Sequence, residues 1–396
     1  MIFLADVDVV LPDRLMSAAT VVIDGDRIID VLQEAPASAP GDLRFDLRHH
    51  TVVPGFVDVH VHGVEGSDTL DGAGAIQRIA SRLPRYGVTA FCPTSVACAP
   101  DDLRTMLSGV RAARFARPSG SSRVLPAHLE SNFINPEYRG AQPLECLRVP
   151  GGPNAGRGPE GEFTGEAILS EIAAARPDVG IVTIAPEIDG ALPLIRTLTA
   201  HGHHVSLGHS GASYEQALEG IIAGARHATH LFNRMTPIGH RAPGLAGAVL
   251  EHDDVTAEIV CDGVHVHPSM VRVALAAKSP SRIMAITDGT AGAGLPAGSR
   301  ATLGGRSISV RNAAYLEDGT LAGSVLTMDR AFALLVSRMG LSPVDAATVC
   351  STTPARALGL QGFGVIAAGA IADLTVLGGD LTVTQTWIGG ELAFGR

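Results

Sequence analysis

Six side chains able to hold a divalent metal ion sit at the ends of strand-like apolar runs in this chain. They are His60 and His62 in VDVHVHG, Glu130 in LPAHLES, His209 in VSLGHS, His230 in HATHLFN and Asp288 in MAITDGT. Neutral imidazole nitrogens and carboxylate oxygens suit Zn2+ and similar ions. His-x-His on a strand presents both rings on one side, because strand side chains alternate with a period of two. A metal held this way lowers the pKa of its water toward ~7 and polarises a carbonyl under attack. Asp288, last of the six, fits the general base that takes a proton from that water and returns it to the leaving amine. The chemistry these residues point to is metal-assisted hydrolysis of an amide or a related C–N bond.

More than two hundred residues separate the first ligand from the last, so the fold must bring them together. A ring of parallel strands does so, because its strand C-termini converge on one face. Eight strand candidates alternate with helical patterns, at 55–61, 88–94, 123–129, 180–186, 204–208, 226–231, 257–263 and 282–287. Helical periodicity is clearest in GAGAIQRIASRLPRYG, PDDLRTMLSGVRAARFA and YEQALEGIIAGA. Eight such units predict a (β/α)8 TIM-like barrel over residues 54–360, with a doubly wound open sheet as the alternative. Both ends read as short strands with tight turns. TVVIDGDRIIDVL alternates apolar and polar residues around Asp24-Gly25-Asp26, and the chain from about 364 repeats the style. Residues 1–53 and 361–396 are therefore expected to build one small β-sandwich domain together. The Gly-rich stretches 151–161 and 289–299 read as loops, the second as either a connector or an active-site lid. Neither has the spacing and lysine of a phosphate-cradling loop.

Composition excludes several partners. With 396 residues and 46% hydrophobic side chains the chain can bury a sizeable core. Its net charge of −10 argues against nucleic acid or an anionic membrane, both of which need a basic surface. No apolar run reaches the ~18 residues of a membrane-spanning helix. Cys92, Cys98, Cys146, Cys261 and Cys350 form no CxxC pair, and the N-terminus lacks a basic leader, so a reducing cytoplasm is expected. Other conspicuous residues have ordinary readings. His49, His50, His203 and His204 precede strands and belong to the opposite barrel face, while His252 and His267 read as surface residues. His128 reads equally as support for the site or as packing, and Cys261 as core. Arg111, Arg114 and Arg117 read as a solvated helix face.

Taken together, PGFVDVHVHG, HLES, LGHS, GARHATHLFNRM, APGLAGAVLE, CDGVHVHP, TDGT and TPARALGL resemble the amidohydrolase superfamily. Within it they resemble the N-acetylglucosamine-6-phosphate deacetylases, over almost the full length. Many superfamily members bridge two metals with a carbamylated lysine on the fourth strand. Here that strand, IVTIAPEI, offers only Glu187, and the sole lysine, Lys278, lies in a helical pattern after the seventh. Glu130 can bridge instead. The resemblance implies Glu130, His209 and His230 as the principal metal site, with His60 and His62 supporting a second ion. It further implies Asn233, Arg241 and His265 as ligands of an amino-sugar phosphate. It also implies a homodimer in which Arg241 reaches the neighbouring site.

Three segments depart from the family pattern near the expected pocket. Ser131-Asn132-Phe133 replaces Gly-Pro-Phe; Gln142 stands where a histidine contacts the acyl carbonyl; Asn233-Arg234-Met235 replaces Asn-Ala-Met. Gln142 can still donate to a carbonyl, and Arg234 adds a planar fork for phosphate or carboxylate. These are either neutral replacements or marks of another substrate. The alternatives are a different N-acyl amino sugar, such as N-acetylgalactosamine 6-phosphate, and an N-acyl compound bearing a carboxylate.

Overall fold

Eight parallel strands wind into a nearly closed ring that carries the candidate ligands at its C-terminal ends. The computed structural model describes residues 1–34, 39–150 and 163–396, so the Gly-rich stretch 151–161 lies outside the described residues. The barrel strands are β1 (Phe56–Val61), β2 (Val88–Ser95), β3 (Ala127–Leu129), β4 (Val179–Ile184), β5 (His204–Leu207), β6 (His227–Ala228), β7 (Thr256–Val260) and β8 (Ile283–Ile286). Each pairs in parallel with the next, from β1 through β8. Closure between β8 and β1 relies on few bonds. His60 O accepts from Asp288 N at 3.0 Å, Gly289 O accepts from His62 N at 2.8 Å, and the Asp58 carboxylate accepts from Thr287 Oγ1 at 2.6 Å. An open doubly wound sheet would leave β1 and β8 as edges; here they meet.

The sequence pattern explains the layers. Every residue of β1 and β2 is buried, as strands covered on both faces require. Helices follow in turn, and the one at Pro100–Phe115 turns Leu103, Met106, Leu107 and Val110 toward the strands at three- and four-residue spacing. The helix Tyr214–Ala223 starts with a full capping box between Ser213 and Gln216, a feature typically worth ~1 kcal/mol.

Three sequence expectations change in detail. The strand expected at 123–129 is broken, with Arg123–Val124 and β3 separated at Pro126, which lacks an N–H for the ladder. The stretch 289–299 begins as a fixed connector at Gly289–Ala293. This segment is buried and bonded to the Gly63–Gly66 turn, with Gly66 N donating to Ala291 O at 2.7 Å. It leads into a three-stranded antiparallel sheet (Arg300–Leu303, Arg306–Val310, Ala314–Tyr315) that the sequence reading missed. Nor are Arg111 and Arg114 simply solvated. Both bind the buried carboxylate of Asp178, Arg111 Nε at 2.6 Å.

Both termini contribute to one mixed eight-stranded sheet. Its first strand, Ile2–Val10, is bent at Asp6 (φ 56°), so Leu43–Asp46 pairs with its first half and Thr51–Pro54 with its second. The Gly25-Asp26 turn closes the hairpin between Leu15–Asp24 and Arg27–Leu32, with Gly25 at φ 56°. This sheet has its own apolar cluster, including Leu4, Val21, Ile28 and Trp387, apart from the barrel core.

Candidate metal centre

All six ligand candidates are buried and meet at the C-terminal end of the barrel in two groups, His60–His62–Asp288 and Glu130–His209–His230. Glu130 Oε1 lies 2.7 Å from His209 Nε2 and 2.8 Å from His230 Nε2. In the other group, Asp288 Oδ1 is 3.4 Å from His60 Nε2 and 3.3 Å from His62 Nε2. Glu130 spans both groups, since its Oε2 is 3.4 Å from His62 Nε2.

Three of the six hold their side chains inward from a left-handed backbone: His209 (φ 48°), His230 (φ 29°) and Asp288 (φ 49°). Such conformations cost roughly 1–3 kcal/mol each in non-glycine residues and persist only where surrounding bonds enforce them. Those bonds are present. Asn135 N donates to His209 O at 3.0 Å, and Ser324 N donates to Asp288 O at 2.8 Å. Glu187, beyond β4, accepts from Asn135 Nδ2, Ser210 Oγ and Gly211 N within 2.9 Å. It organises the turn around His209 and is not a ligand.

The donor set fits a cation. Tyr138 O can only accept, so His209 Nδ1, 2.8 Å away, carries the proton and Nε2 is left with a lone pair. With both rings neutral, lone pairs of His209, His230 and Glu130 converge, and one positive ion satisfies all of them. Burial works against ionisation of Glu130, but His209 and His230 hold its carboxyl well below the usual range. Burial likewise opposes charge on His62, yet hydrogen bonds to Asp288 and Glu130 raise it to about 10. Burial lowers His60 to about 4, which keeps it neutral and ready to ligate. The pocket floor favours positive charge.

Beneath the ligands lies a polar layer that sequence reasoning missed. Glu258 on β7, fully buried, accepts from His60 Nδ1 at 2.9 Å, and burial raises its carboxyl to about 7. His128 donates through Nδ1 to Val59 O at 3.0 Å, so its Nε2 accepts from Thr183 Oγ1 at 2.8 Å. Thr229 and Ser206 continue the hydroxyl chain at 2.8 and 2.7 Å. His128 therefore belongs to a hydrogen-bonded support and not to packing alone. The missed signal was a lone charge inside each apolar strand: Glu258 in TAEIV, and Asp58 two residues before His60.

The pocket above is lined by His62, Glu130, Gln142, His209, His230, Asn233, Arg234, His265 and Asp288, with Leu303 and Leu321 on one wall. Gln142 is buried with both ends of its amide engaged, Nε2 on Glu130 Oε2 and Oε1 on Ala97 N at 2.7 Å. Its amide thus faces a ligand carboxylate instead of open space. His265 is fixed by Asp262, 2.7 Å from Nδ1. Arg234 is exposed at the mouth, its chain lying over Gly140. Ser131 and Asn132 do not line the pocket; they bond Thr183 O, and Cys98 O and Cys146 O. Arg241 is exposed and lies outside the lining. Cys261 is buried, and burial pushes its thiol well above the usual value, as core packing implies.

Comparison with known proteins agrees with this geometry. Residues 189–393 match the amidohydrolase family model. The chain is 32% identical to the N-acetylglucosamine-6-phosphate deacetylase of Bacillus subtilis, over 99% of this chain and 97% of that one. It is 34% identical to the N-acetylgalactosamine-6-phosphate deacetylase of Escherichia coli O157:H7, over 86% of this chain and 87% of the relative. A solved structure of a mutant N-acetyl-D-glucosamine-6-phosphate deacetylase from Mycobacterium smegmatis, in complex with N-acetyl-D-glucosamine-6-phosphate, superposes with a TM-score of 0.88. Its identity is 34%, covering 99% of both chains.

Proposed function

We infer, because this chain belongs to the N-acetylglucosamine-6-phosphate deacetylase family of amidohydrolases, that it hydrolyses the N-acetyl group of N-acetylglucosamine 6-phosphate to glucosamine 6-phosphate and acetate. The observation that carries this reading is the complete set of six donors at the floor of one pocket, in a chain whose likeness to these deacetylases runs end to end.

Glu130, His209 and His230 would hold the principal ion, and His60 and His62, with Asp288, a second. A divalent ion there, which we take as Zn2+ from the nitrogen and oxygen donors, would polarise the amide carbonyl and acidify water. The remaining work falls to the chain. Asp288 takes the proton that water loses as its oxygen attacks the amide carbon. It then gives that proton to the nitrogen as the C–N bond breaks, so the amine leaves neutral. Buried between His60 and His62, its carboxylate is oriented for both transfers. Asn233, Arg234, Arg241 and His265 would bind the sugar and its phosphate. Gln142 contributes by holding Glu130, with both ends of its amide engaged.

The exposed position of Arg241, outside its own pocket, supports a homodimer in which it serves the partner's site. Five free cysteines support a cytoplasmic setting, and among the described residues no helix is long and apolar enough to cross a membrane. The apolar cluster of Leu4, Val21, Ile28 and Trp387, drawn from both chain ends, supports reading residues 1–53 with 361–396 as one small β domain beside a hydrolase barrel over residues 54–360. Arg234 favours a second reading, in which N-acetylgalactosamine 6-phosphate or a carboxylate-bearing N-acyl compound is also cleaved.

The test is acetate release from N-acetylglucosamine 6-phosphate after chelation and after return of Zn2+. The reading predicts loss on chelation and recovery on reloading. Full activity in protein verified to be metal-free contradicts it.

A further inference from the structure

Glu258 touches both ligand groups from below without reaching the pocket. We propose that it is a positioning residue that sets how tightly the His60–His62–Asp288 group holds its ion, an inference that rests on the two-group reading above. Its side chain is fully buried on β7. Oε2 accepts a hydrogen bond from His60 Nδ1 at 2.9 Å and another from the backbone N–H of His230 at 3.3 Å.

The first bond selects a tautomer. A proton fixed on Nδ1 leaves a lone pair on His60 Nε2, which lies 3.2 Å from His62 Nε2 and 3.4 Å from Asp288 Oδ1. With the proton on Nε2 instead, a neutral His60 could not ligate at that centre. A carboxylate behind a ligating imidazole also makes the facing nitrogen a stronger donor.

The two groups differ in this backing. His209 rests on the neutral carbonyl of Tyr138 at 2.8 Å, whereas His60 rests on an acid. Glu258 Oε1 adds a second asymmetry: it is buried with no hydrogen-bond partner among the described residues. His128 Nδ1, 3.7 Å away, already donates to Val59 O. A side chain needed only to accept from His60 and His230 would use a single oxygen. The spare, unpaired oxygen is costly in such a place, a cost that a cation held in front of His60 would offset.

The experiment is Zn2+ titration of the stripped full-length protein against a competing chelator, for wild type, Glu258→Gln and His60→Ala. Glutamine keeps an oxygen for His60 and His230 but removes the charge. Wild type is expected to take two equivalents. Glu258→Gln should keep one at wild-type affinity and bind the second about 10–100-fold more weakly, and His60→Ala should lose the second. Unchanged affinities in Glu258→Gln overturn the role of Glu258 alone; equal weakening of both equivalents overturns its selectivity. A wild type that takes one equivalent contradicts the two-group reading itself, and the proposal with it. Should Glu258→Gln fail to fold, nitrogen NMR of wild-type His60 still decides. A proton on Nδ1 in the metal-free protein supports the proposal, and one on Nε2 overturns it.

Discussion

Replacing Asp288 with asparagine removes a proton acceptor from the pocket and one donor of the His60–His62–Asp288 group, and leaves the backbone in place. Asparagine tolerates the left-handed backbone that Asp288 adopts at φ 49°. The bonds that fix that backbone, Asp288 N to His60 O at 3.0 Å and Ser324 N to Asp288 O at 2.8 Å, do not involve the carboxylate. Burial would raise the Asp288 carboxyl, but His60 and His62 hold it below its usual value, so it is ionised and able to accept at neutral pH. An amide oxygen in the same place can accept a hydrogen bond but cannot carry the proton. A positioned general base contributes about 10²–10⁴-fold, or roughly 2.7–5.4 kcal/mol at about 1.36 kcal/mol per decade. Asp288→Asn should therefore lower kcat by about that factor while KM stays within roughly threefold, because substrate binding is not its task. The assay is acetate release from N-acetylglucosamine 6-phosphate by Zn2+-reconstituted protein, with bound metal measured by mass spectrometry. The Glu130–His209–His230 group should remain filled. A kcat within about tenfold of wild type, with that group occupied, would refute the assignment of Asp288 as the base.

Other expectations follow from the same geometry. Lys278 is buried and donates to Val249 O at 2.7 Å and His252 O at 2.6 Å. Lys278→Met strands these acceptors, so chemical denaturation should show a loss of about 1–3 kcal/mol with kcat unchanged per folded molecule. A collapse of kcat would instead implicate the lysine in chemistry. Arg234→Ala should raise KM for the phosphorylated substrate by about 1.5–3 kcal/mol, the worth of a charge-assisted bond, and leave the non-phosphorylated sugar unaffected. Equal increases for both would remove Arg234 from phosphate binding. His227 is buried in β6, and burial lowers it to about 3. In the unfolded chain it takes up a proton near its ordinary 6.5, so stability attributable to its neutral form is complete above about 6.5 and is lost as pH falls toward 3. His227→Leu should flatten the acid limb of the stability profile by up to about 1.4 kcal/mol per pH unit. Parallel wild-type and variant limbs would show that His227 already titrates normally.

How much of this was readable in the chain depended on whether a residue's role was local. His60 and His62 declare themselves through strand alternation, and His209, His230 and Asp288 through the apolar runs before them, so the barrel and the residues gathered at its end could be read directly. Glu258 and Asp58 could not. A single charge in an apolar strand does not say what it faces until the ring closes and places Glu258 under His60 and Asp58 against Thr287. Gln142 was legible as a pocket residue, but its engagement with Glu130 and Ala97 N depends on how its loop returns to the end of β2. The hairpin at Arg300–Val310 had a signal in Gly304-Gly305, both at positive φ, that was overlooked within a Gly-rich region. Arg111 and Arg114 looked solvated because Asp178, their shared partner, is more than sixty residues away in sequence.

The central claim is that this pocket hydrolyses the N-acetyl amide of an amino-sugar phosphate. Its most direct test is the rate of acetate release by Zn2+-loaded protein from N-acetylglucosamine 6-phosphate, N-acetylgalactosamine 6-phosphate, unphosphorylated N-acetylglucosamine and an N-acetyl amino acid, measured side by side. The account predicts rapid turnover of N-acetylglucosamine 6-phosphate, with kcat/KM at or above about 10⁴ M⁻¹s⁻¹, and far slower turnover of the unphosphorylated sugar. Release of acetate from neither amino-sugar phosphate, by folded protein with its metal sites filled, would contradict it.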